Sequence, residues 1–251
     1  MNVNRVKILY YKFILKHFGR FTSPFLYNKI LKLEGFDVGE GTIFYGPESI
    51  LLDRQRPWML KIGKYCKITS GVSILTHDYS RSVLRRAYGE ILGEAAMTTI
   101  GDNVFVGVNS IILMGAQIGN NVIIGAGSVV GGKIPDNVVI AGNPAKVFRT
   151  LEEHYQKRKG RTLAEAKVWV DSYKNRYGRY PSEDRMGPFF PFFTNRDTFD
   201  YKNDKRLLCF GDNMEEVVRD FKKSKPQFDS FNDFMKFIRE DENDYENKEG
   251  L

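Results

Sequence analysis

The chain has 251 residues, 42% of them hydrophobic, and a formal net charge of +7. That is enough to bury a substantial core in one or two domains. Two cysteines, Cys66 and Cys209, are too few for a disulfide framework and point to a reducing compartment, and no apolar run approaches the ~20 residues of a membrane span.

The positive charge gathers at the start. Residues 1–36 hold Arg5, Lys7, Lys12, Lys16, Arg20, Lys29 and Lys32 against Glu34 alone, interleaved with Tyr10, Tyr11, Phe13, Phe18, Phe21 and Phe25. Lys12 and Lys16 break the apolar stretch, so it does not read as a secretory signal, and the cytoplasm is the expected location. Basic and aromatic residues on a short helix suit peripheral contact with an anionic membrane through residues 1–30, at the inner membrane surface. The alternative is a helix packed across the end of the domain that follows. No nucleic-acid-reading motif accompanies the charge, so no nucleic-acid partner is expected.

A six-residue period then takes over. Ile62, Ile68 and Ile74 open it, and Ile100, Val106, Ile112, Ile118, Ile124 and Val130 continue it without a miss. Gly follows the aliphatic residue at 63, 101, 107, 119, 125 and 131, and a small or β-branched residue stands four places after it at Cys66, Val72, Val104, Ser110, Ala116, Val122 and Ser128. Neither period two nor period 3.6 fits. A hexapeptide period predicts a parallel β-helix, one short strand and one turn per repeat, three repeats to a triangular coil, with the aliphatic residues stacked inside. The glycines are expected to turn the corners, and Cys66, at a small-residue position, to pack rather than react.

The register extends back through Val38, Phe44 and Ile50, with Arg56 in the next place. The coils therefore begin near residue 36, and Arg54 to Trp58 form a distorted corner or protrusion. From Ile74 to Ile100 is 26 residues, four hexapeptides plus two. The segment from His77 to Thr98 must loop out of the stack, and loops of that length in a compact repeat are usually functional. Pro135 and Pro144 fit a final irregular coil.

From about Thr150 the sequence becomes charged and helix-prone. Helices are predicted at Leu163–Tyr177, at Met214–Lys223 after Asp212 or Asn213, and at Ser230–Arg239, where Ser230 and Asp233 are spaced as a cap. Pro188-Phe189-Phe190-Pro191-Phe192-Phe193 is too proline-rich for a strand interior and is expected to bury against the β-helix or wall a substrate groove. The acidic end, Glu240 to Glu249, is expected to fray. Three parts result: a helical segment at 1–35, a β-helix at 36–150 with its excursion at 77–98, and a mostly helical extension at 151–251.

Gly71-Val72-Ser73-Ile74-Leu75-Thr76-His77, then Thr99-Ile100-Gly101-Asp102-Asn103-Val104-Phe105-Val106-Gly107 and Ile124-Gly125-Ala126-Gly127-Ser128-Val129-Val130 resemble the hexapeptide-repeat acyltransferases. The nearer likeness is to their maltose, galactoside and capsular-polysaccharide O-acetyltransferase branch. It covers about residues 36–150, and residues 151–251 have no counterpart in the short sugar acetyltransferases. The resemblance implies a left-handed parallel β-helix, an exception to the usual right-handed crossover. It also implies a homotrimer with acetyl-CoA held between neighbouring β-helices, and His77 as the general base.

The residues support that role for His77 independently. Moving an acetyl group from a thioester to an alcohol needs a base for the hydroxyl proton, and neutral imidazole suits it. Of three histidines, only His77 sits where the repeat opens into a loop; His17 lies in the basic segment and His154 after the last coil. A carboxylate should orient the ring. Asp78 is adjacent, while Asp53 lies 24 residues earlier, one corner away on an 18-residue coil. The resemblance mildly favours Asp53, as an acidic residue that contacts the acceptor.

For acetyl-CoA, Gly107, Gly125 and Ala126 are expected to leave backbone open along the pantetheine arm, with Phe105 of the matched motif beside them. Lys133, Lys146 and Arg149 cluster near the last coil, where the resemblance places the nucleotide phosphates, although Gly131-Gly132-Lys133-Ile134-Pro135 departs from the Thr-Lys-Asp-Ile-Pro of relatives. For a saccharide acceptor, Trp58, Asp78, Tyr79 and Arg85 are the candidates, since aromatic faces and charged groups suit a sugar. Metal-dependent β-helix enzymes need several histidines on the coils, and only His77 lies there, so no metal is expected. N-acyl transfer to an amino sugar, or a non-enzymatic binding module, are the alternative readings.

Overall fold

The structure is a computed structural model that describes residues 3–18, 24–204, 206 and 211–249. It divides into two compact units, residues 1–155 and 156–251. Cys209 and the side chain of His17 lie outside what is described.

In the first unit, short strands stack into three sheets. The first sheet joins β1 (Asp37–Val38), β4 (Leu60–Ile62), β7 (Thr98–Ile100), β10 (Gln117–Ile118) and β13 (Lys133–Ile134). The second joins β2 (Ile43–Phe44), β5 (Lys67–Ile68), β8 (Phe105–Val106), β11 (Ile123–Ile124), β14 (Val138–Gly142) and β15 (Ala145–Thr150). The third joins β3 (Leu51–Leu52), β6 (Ser73–Ile74), β9 (Ile111–Ile112) and β12 (Val129–Val130). All pairings are parallel except β14 with β15, which closes the stack as an antiparallel hairpin.

This is the predicted β-helix, and its core is the predicted one. Ile62, Ile68, Ile74 and the run from Ile100 to Val130 are buried on the axis, with Cys66, Val72, Val104, Ala116 and Val122 packed beside them. Side chains alternate along a strand, so the residue before each aliphatic one faces out. Burial pushes the Cys66 thiol up from its ordinary range, which keeps it protonated and inert.

Three expectations are corrected. First, the glycines after the aliphatic residues do not turn the corners; those at 63, 101, 107 and 119 let adjacent coils touch. A Cβ on Gly63 would meet Gly101 O at 2.4 Å, and one on Gly101 would meet Gly119 O at 2.6 Å. Positive φ falls elsewhere, at Tyr65, Asn103, Asn121 and Asn137 along one corner and at Gly71, Asn109 and Gly127 along another. Asn tolerates that conformation better than other side-chain-bearing residues. Its amides form a ladder, with Asn103 Nδ2 donating to Asn121 Oδ1 at 2.9 Å and Asn121 Nδ2 to Asn137 Oδ1 at 3.0 Å.

Second, the first coil is longer than eighteen residues. Val106 pairs with Ile124, the regular offset, but Phe44 pairs with Ile68 and Leu52 with Ile74. The inward residue of β3 is Leu52 rather than Ile50, because the short turns Pro47–Ser49 and Pro57–Met59 insert extra residues at two corners.

Third, the elements outside the stack differ in extent. The basic segment forms two helices, α1 (Val3–Phe18) and α2 (Pro24–Leu33). It is α2 that packs across the end of the β-helix: Tyr27 and Leu31 join the axial core, with Tyr27 edge-on to Phe44 at 5.1 Å. The excursion carries a helix, α3 (Arg81–Tyr88).

The long helix α4 (Leu151–Tyr177) begins twelve residues before its predicted start. Thr150 N–H donates to Glu153 Oε2 at 2.8 Å and Glu153 N–H to Thr150 Oγ1 at 3.1 Å, a capping box. In the second unit α5 (Met214–Lys222) and α6 (Phe231–Glu249) follow the predicted positions, although α6 continues to Glu249 through the tail expected to fray. Phe189, Phe190 and Phe193 join Ala166, Val170, Val218 and Phe234 in that unit's own core.

Candidate active site

The stretched first coil decides the geometry. Because Leu52 pairs directly with Ile74, the residues leaving β3 and β6 run side by side on one face, and Asp53 comes beneath His77 instead of one corner away. Asp53 Oδ2 lies 2.7 Å from His77 Nδ1 within a single chain.

Asp53 is buried, and four donors converge on it. Thr76 Oγ1 donates to Oδ2 at 2.5 Å, Arg56 Nη1 to Oδ2 at 3.3 Å, and the Gln55 backbone N–H to Oδ1 at 3.1 Å, with His77 the fourth. Burial by itself would push this carboxyl up, but the hydrogen bonds from Thr76, His77 and Gln55 outweigh it and hold the group below the usual carboxylate range. An ionised Asp53 fixes the proton of His77 on Nδ1, which leaves the lone pair on Nε2. The His77 side chain is 27% exposed, so the ring is reachable from solvent.

The excursion is tied down at both ends. Ala96 N–H donates to Thr76 O at 3.1 Å and Thr98 Oγ1 to Leu75 O at 2.7 Å. Asp78 does not serve the imidazole; its Oδ1 accepts the Ser80 N–H at 2.7 Å, and that bonding lowers its pKa. Tyr79 is exposed with the Arg81 guanidinium 5.5 Å from its ring centre, and Arg85 is exposed on α3. Trp58 is exposed on the Pro57–Met59 turn. None of these four hydrogen-bonds to the His77–Asp53 pair.

Of the residues expected to meet acetyl-CoA, Phe105 and Ala126 are exposed. Gly107 and Gly125 are not open as expected. Gly107 N–H donates to Ile124 O and Gly125 N–H to Ile140 O, while Gly125 O accepts Ser110 Oγ and Ser128 Oγ. A Cβ on Gly107 would meet Ala126 N at 2.6 Å, so this glycine serves coil packing. Lys133 stands on the last strand of the first sheet, whereas Lys146 and Arg149 stand on the last strand of the second. Arg149 Nε is buried without a partner, and its guanidinium lies 4.3 Å from the Phe148 ring centre.

Sequence reasoning missed Thr76, Gln55 and Arg56. Thr76 immediately precedes the histidine, and Arg56 was read only as a gap in the repeat. A cavity of about 1590 Å³ in the second unit, lined by Phe190, Phe193, Asp200 and Arg206 among others, shares no residue with the His77 site.

A parallel β-helix of hexapeptides with a histidine–carboxylate pair at the mouth of its excursion defines a class, and comparison with known proteins gives the family. The bacterial transferase hexapeptide (six repeats) family matches residues 97–132. Protein CapG of Staphylococcus aureus is 45% identical over 130 residues, 52% of this chain and 74% of CapG. The galactoside O-acetyltransferase of Escherichia coli is 48% identical over 60 residues, 23% of this chain and 30% of that enzyme. Among solved structures, a maltose O-acetyltransferase from Clostridium difficile aligns over 60% of this chain and 89% of its own, with 25% identity and a TM-score of 0.39. The chain belongs to the hexapeptide-repeat transferases and is an acyltransferase of that family.

Proposed function

We propose that the protein transfers the acetyl group of acetyl-CoA to a hydroxyl of a sugar, in a surface polysaccharide or its precursor, with His77 as general base. The hydrogen bond between Asp53 and His77 Nδ1 carries the proposal, because it leaves Nε2 as the proton acceptor at an accessible position. As the acceptor oxygen attacks the thioester carbonyl, His77 Nε2 takes the hydroxyl proton. Asp53, kept ionised, steadies the resulting imidazolium. When the tetrahedral species collapses, the C–S bond breaks, and the imidazolium returns the proton to the departing thiolate. Ester and thiol are the products.

The similarity to a galactoside O-acetyltransferase supports a saccharide acceptor. The exposed Trp58 and Tyr79, with the charged groups of the excursion, suit one. For acetyl-CoA, the unpartnered Arg149 Nε and exposed Lys146 offer phosphate-binding chemistry on the last strand, and Phe105 and Ala126 offer open surface.

The outward side chains support a homotrimer. The first sheet turns Asp37, Lys61, Thr99, Gln117 and Lys133 outward, whereas the third turns out Leu51, Ser73, Ile111 and Val129. The second adds exposed Phe105. A prism with one polar and two more apolar faces suits a closed three-fold assembly in which each copy covers its neighbours.

The test is transfer of labelled acetyl-CoA to a panel of hydroxyl and amino saccharides by the wild type and His77→Ala. Turnover of the variant should fall on the order of 10²–10⁴-fold, with acetyl-CoA affinity nearly unchanged and His154→Ala within a few-fold of wild type. Near-normal kcat in a folded His77→Ala protein would refute the mechanism, and acetylation of amino acceptors alone would redirect it to N-transfer.

A further inference from the structure

Asp53 stands at the start of an inserted turn, residues 53–59, between β3 (Leu51–Leu52) and β4 (Leu60–Ile62). From within, the turn is held by the Gln55 N–H on Asp53 Oδ1 and by Met59 N–H donating to Arg56 O at 2.9 Å. From outside, it is held by the N-terminal segment through Arg54. Arg54 Nη1 pairs with Glu34 Oε2, one residue past α2, and Nη2 donates to the Tyr27 hydroxyl at 3.1 Å. The Glu34 side chain is only 13% exposed. Tyr27 lies in the axial core, and burial pushes its phenol pKa up against the opposing charge of Arg54, so the hydroxyl stays protonated. The chain leaving α2 also rests on the turn, since a Cβ on Gly35 would stand 3.5 Å from Pro57 Cγ.

We propose that Arg54 is a positioning residue: it ties the Asp53 turn to α2, so that the Asp53–His77 hydrogen bond depends on the N-terminal segment. The inference deepens the reading of His77 as general base and rests on it. Strand pairing fixes Leu52 against Ile74, and Asp53 is the first residue beyond that pair, where the turn takes over its direction. Among the described residues the Arg54 guanidinium hydrogen-bonds to Glu34 and Tyr27 alone, so its effect on Asp53 passes through the backbone between them. An exposed ion pair adds little to stability. Arg54, however, is gripped by two acceptors, one largely buried and one in the core, and this defines a place more than it adds strength. Place is what the site needs, because a shift of about 1 Å at a catalytic group can cost on the order of 10²-fold in rate.

The test uses the full chain and reads the His77 ring directly, by long-range proton–nitrogen NMR at alkaline pH, beside steady-state kinetics. The wild type should hold the neutral ring in the Nδ1–H form. Arg54→Met should mix in the Nε2–H form and lower kcat about 10-fold, with the KM for acetyl-CoA within about 2-fold. Arg54→Lys, which can serve one acceptor, should recover part of both losses. Tyr27→Phe keeps its ring in the core and should show a smaller loss in the same direction, and it carries the test if Arg54→Met does not fold. Arg54→Met with Tyr27→Phe should be no worse than Arg54→Met alone, as for two ends of one tie. Wild-type tautomer and kcat in Arg54→Met would overturn the inference, as would losses that add in full in the double variant. A wild-type ring outside the Nδ1–H form would overturn it too. Near-normal kcat in a folded His77→Ala protein would instead remove the catalytic reading, and the tautomer would still decide the tie.

Discussion

Asp53 holds the site together, because the backbone of one coil and the side chains of the next both bond to its two oxygens. Asp53→Asn keeps the shape but removes the charge and the certainty of the tautomer. Its kcat should drop on the order of 10²-fold or more, with the KM for acetyl-CoA little changed, measured by steady-state kinetics. Stability should respond to acid in a defined direction. The folded pKa of Asp53 lies below its unfolded value of roughly 3.9. The unfolded chain therefore takes up the proton first, and the contribution is present above that value and lost as pH falls through the folded one. Thermal melts of Asp53→Asn should accordingly show a shallower loss of Tm on acidification than the wild type. A wild type and variant with parallel acid limbs would show that Asp53 is not held ionised by its neighbours.

At the scale of the element, the glycine and asparagine positions divide the work of the β-helix. Gly63 sits against backbone of the next coil, so Gly63→Ala should cost about 1–3 kcal/mol through overpacking, read as a lowered Tm. Gly131→Ala would meet only the Leu113 side chain, Cδ1 at 3.4 Å and Cβ at 3.8 Å, and should be near neutral. Equal effects at both sites would contradict this assignment. The axial core was legible because Ile100 to Val130 must point inward for any six-residue coil. The first coil was less so: Ile50 is itself buried, so an apolar residue keeps the period while the strand has already slipped to Leu52. That slip is why the partnership of Asp53 with His77, set by a pairing across coils, was out of reach of residue counting. The excursion helix was equally hidden, since Arg81–Tyr88 offers no acidic first turn and buries none of its residues. The start of α4, by contrast, was readable in Thr150 and Glu153 and was passed over.

For the whole molecule, the proposed three-fold assembly rests on the unequal faces of the β-helix. Light scattering should give three copies, and Leu51→Lys with Ile111→Lys should lower the mass toward one by placing charge in the covered faces. Thr99→Lys, on the polar first sheet, should leave the mass unchanged. A monomeric wild type at working concentration would defeat the three-fold assembly. The second unit keeps a core of its own, built on Phe189, Phe190, Phe193 and Phe234, so changes there should act on its own folding before they act on the coils.

The antiparallel return of β15 over β14 has a consequence for solubility. A column of parallel strands has no intrinsic length, and its last rung offers free N–H and C=O groups to the first rung of another molecule. In this protein α2 covers one end, and on the second sheet β15 reverses direction at the other, so the next strand of a foreign column meets the wrong polarity. These two devices act as the terminal caps that repeat proteins need to remain discrete particles rather than fibres.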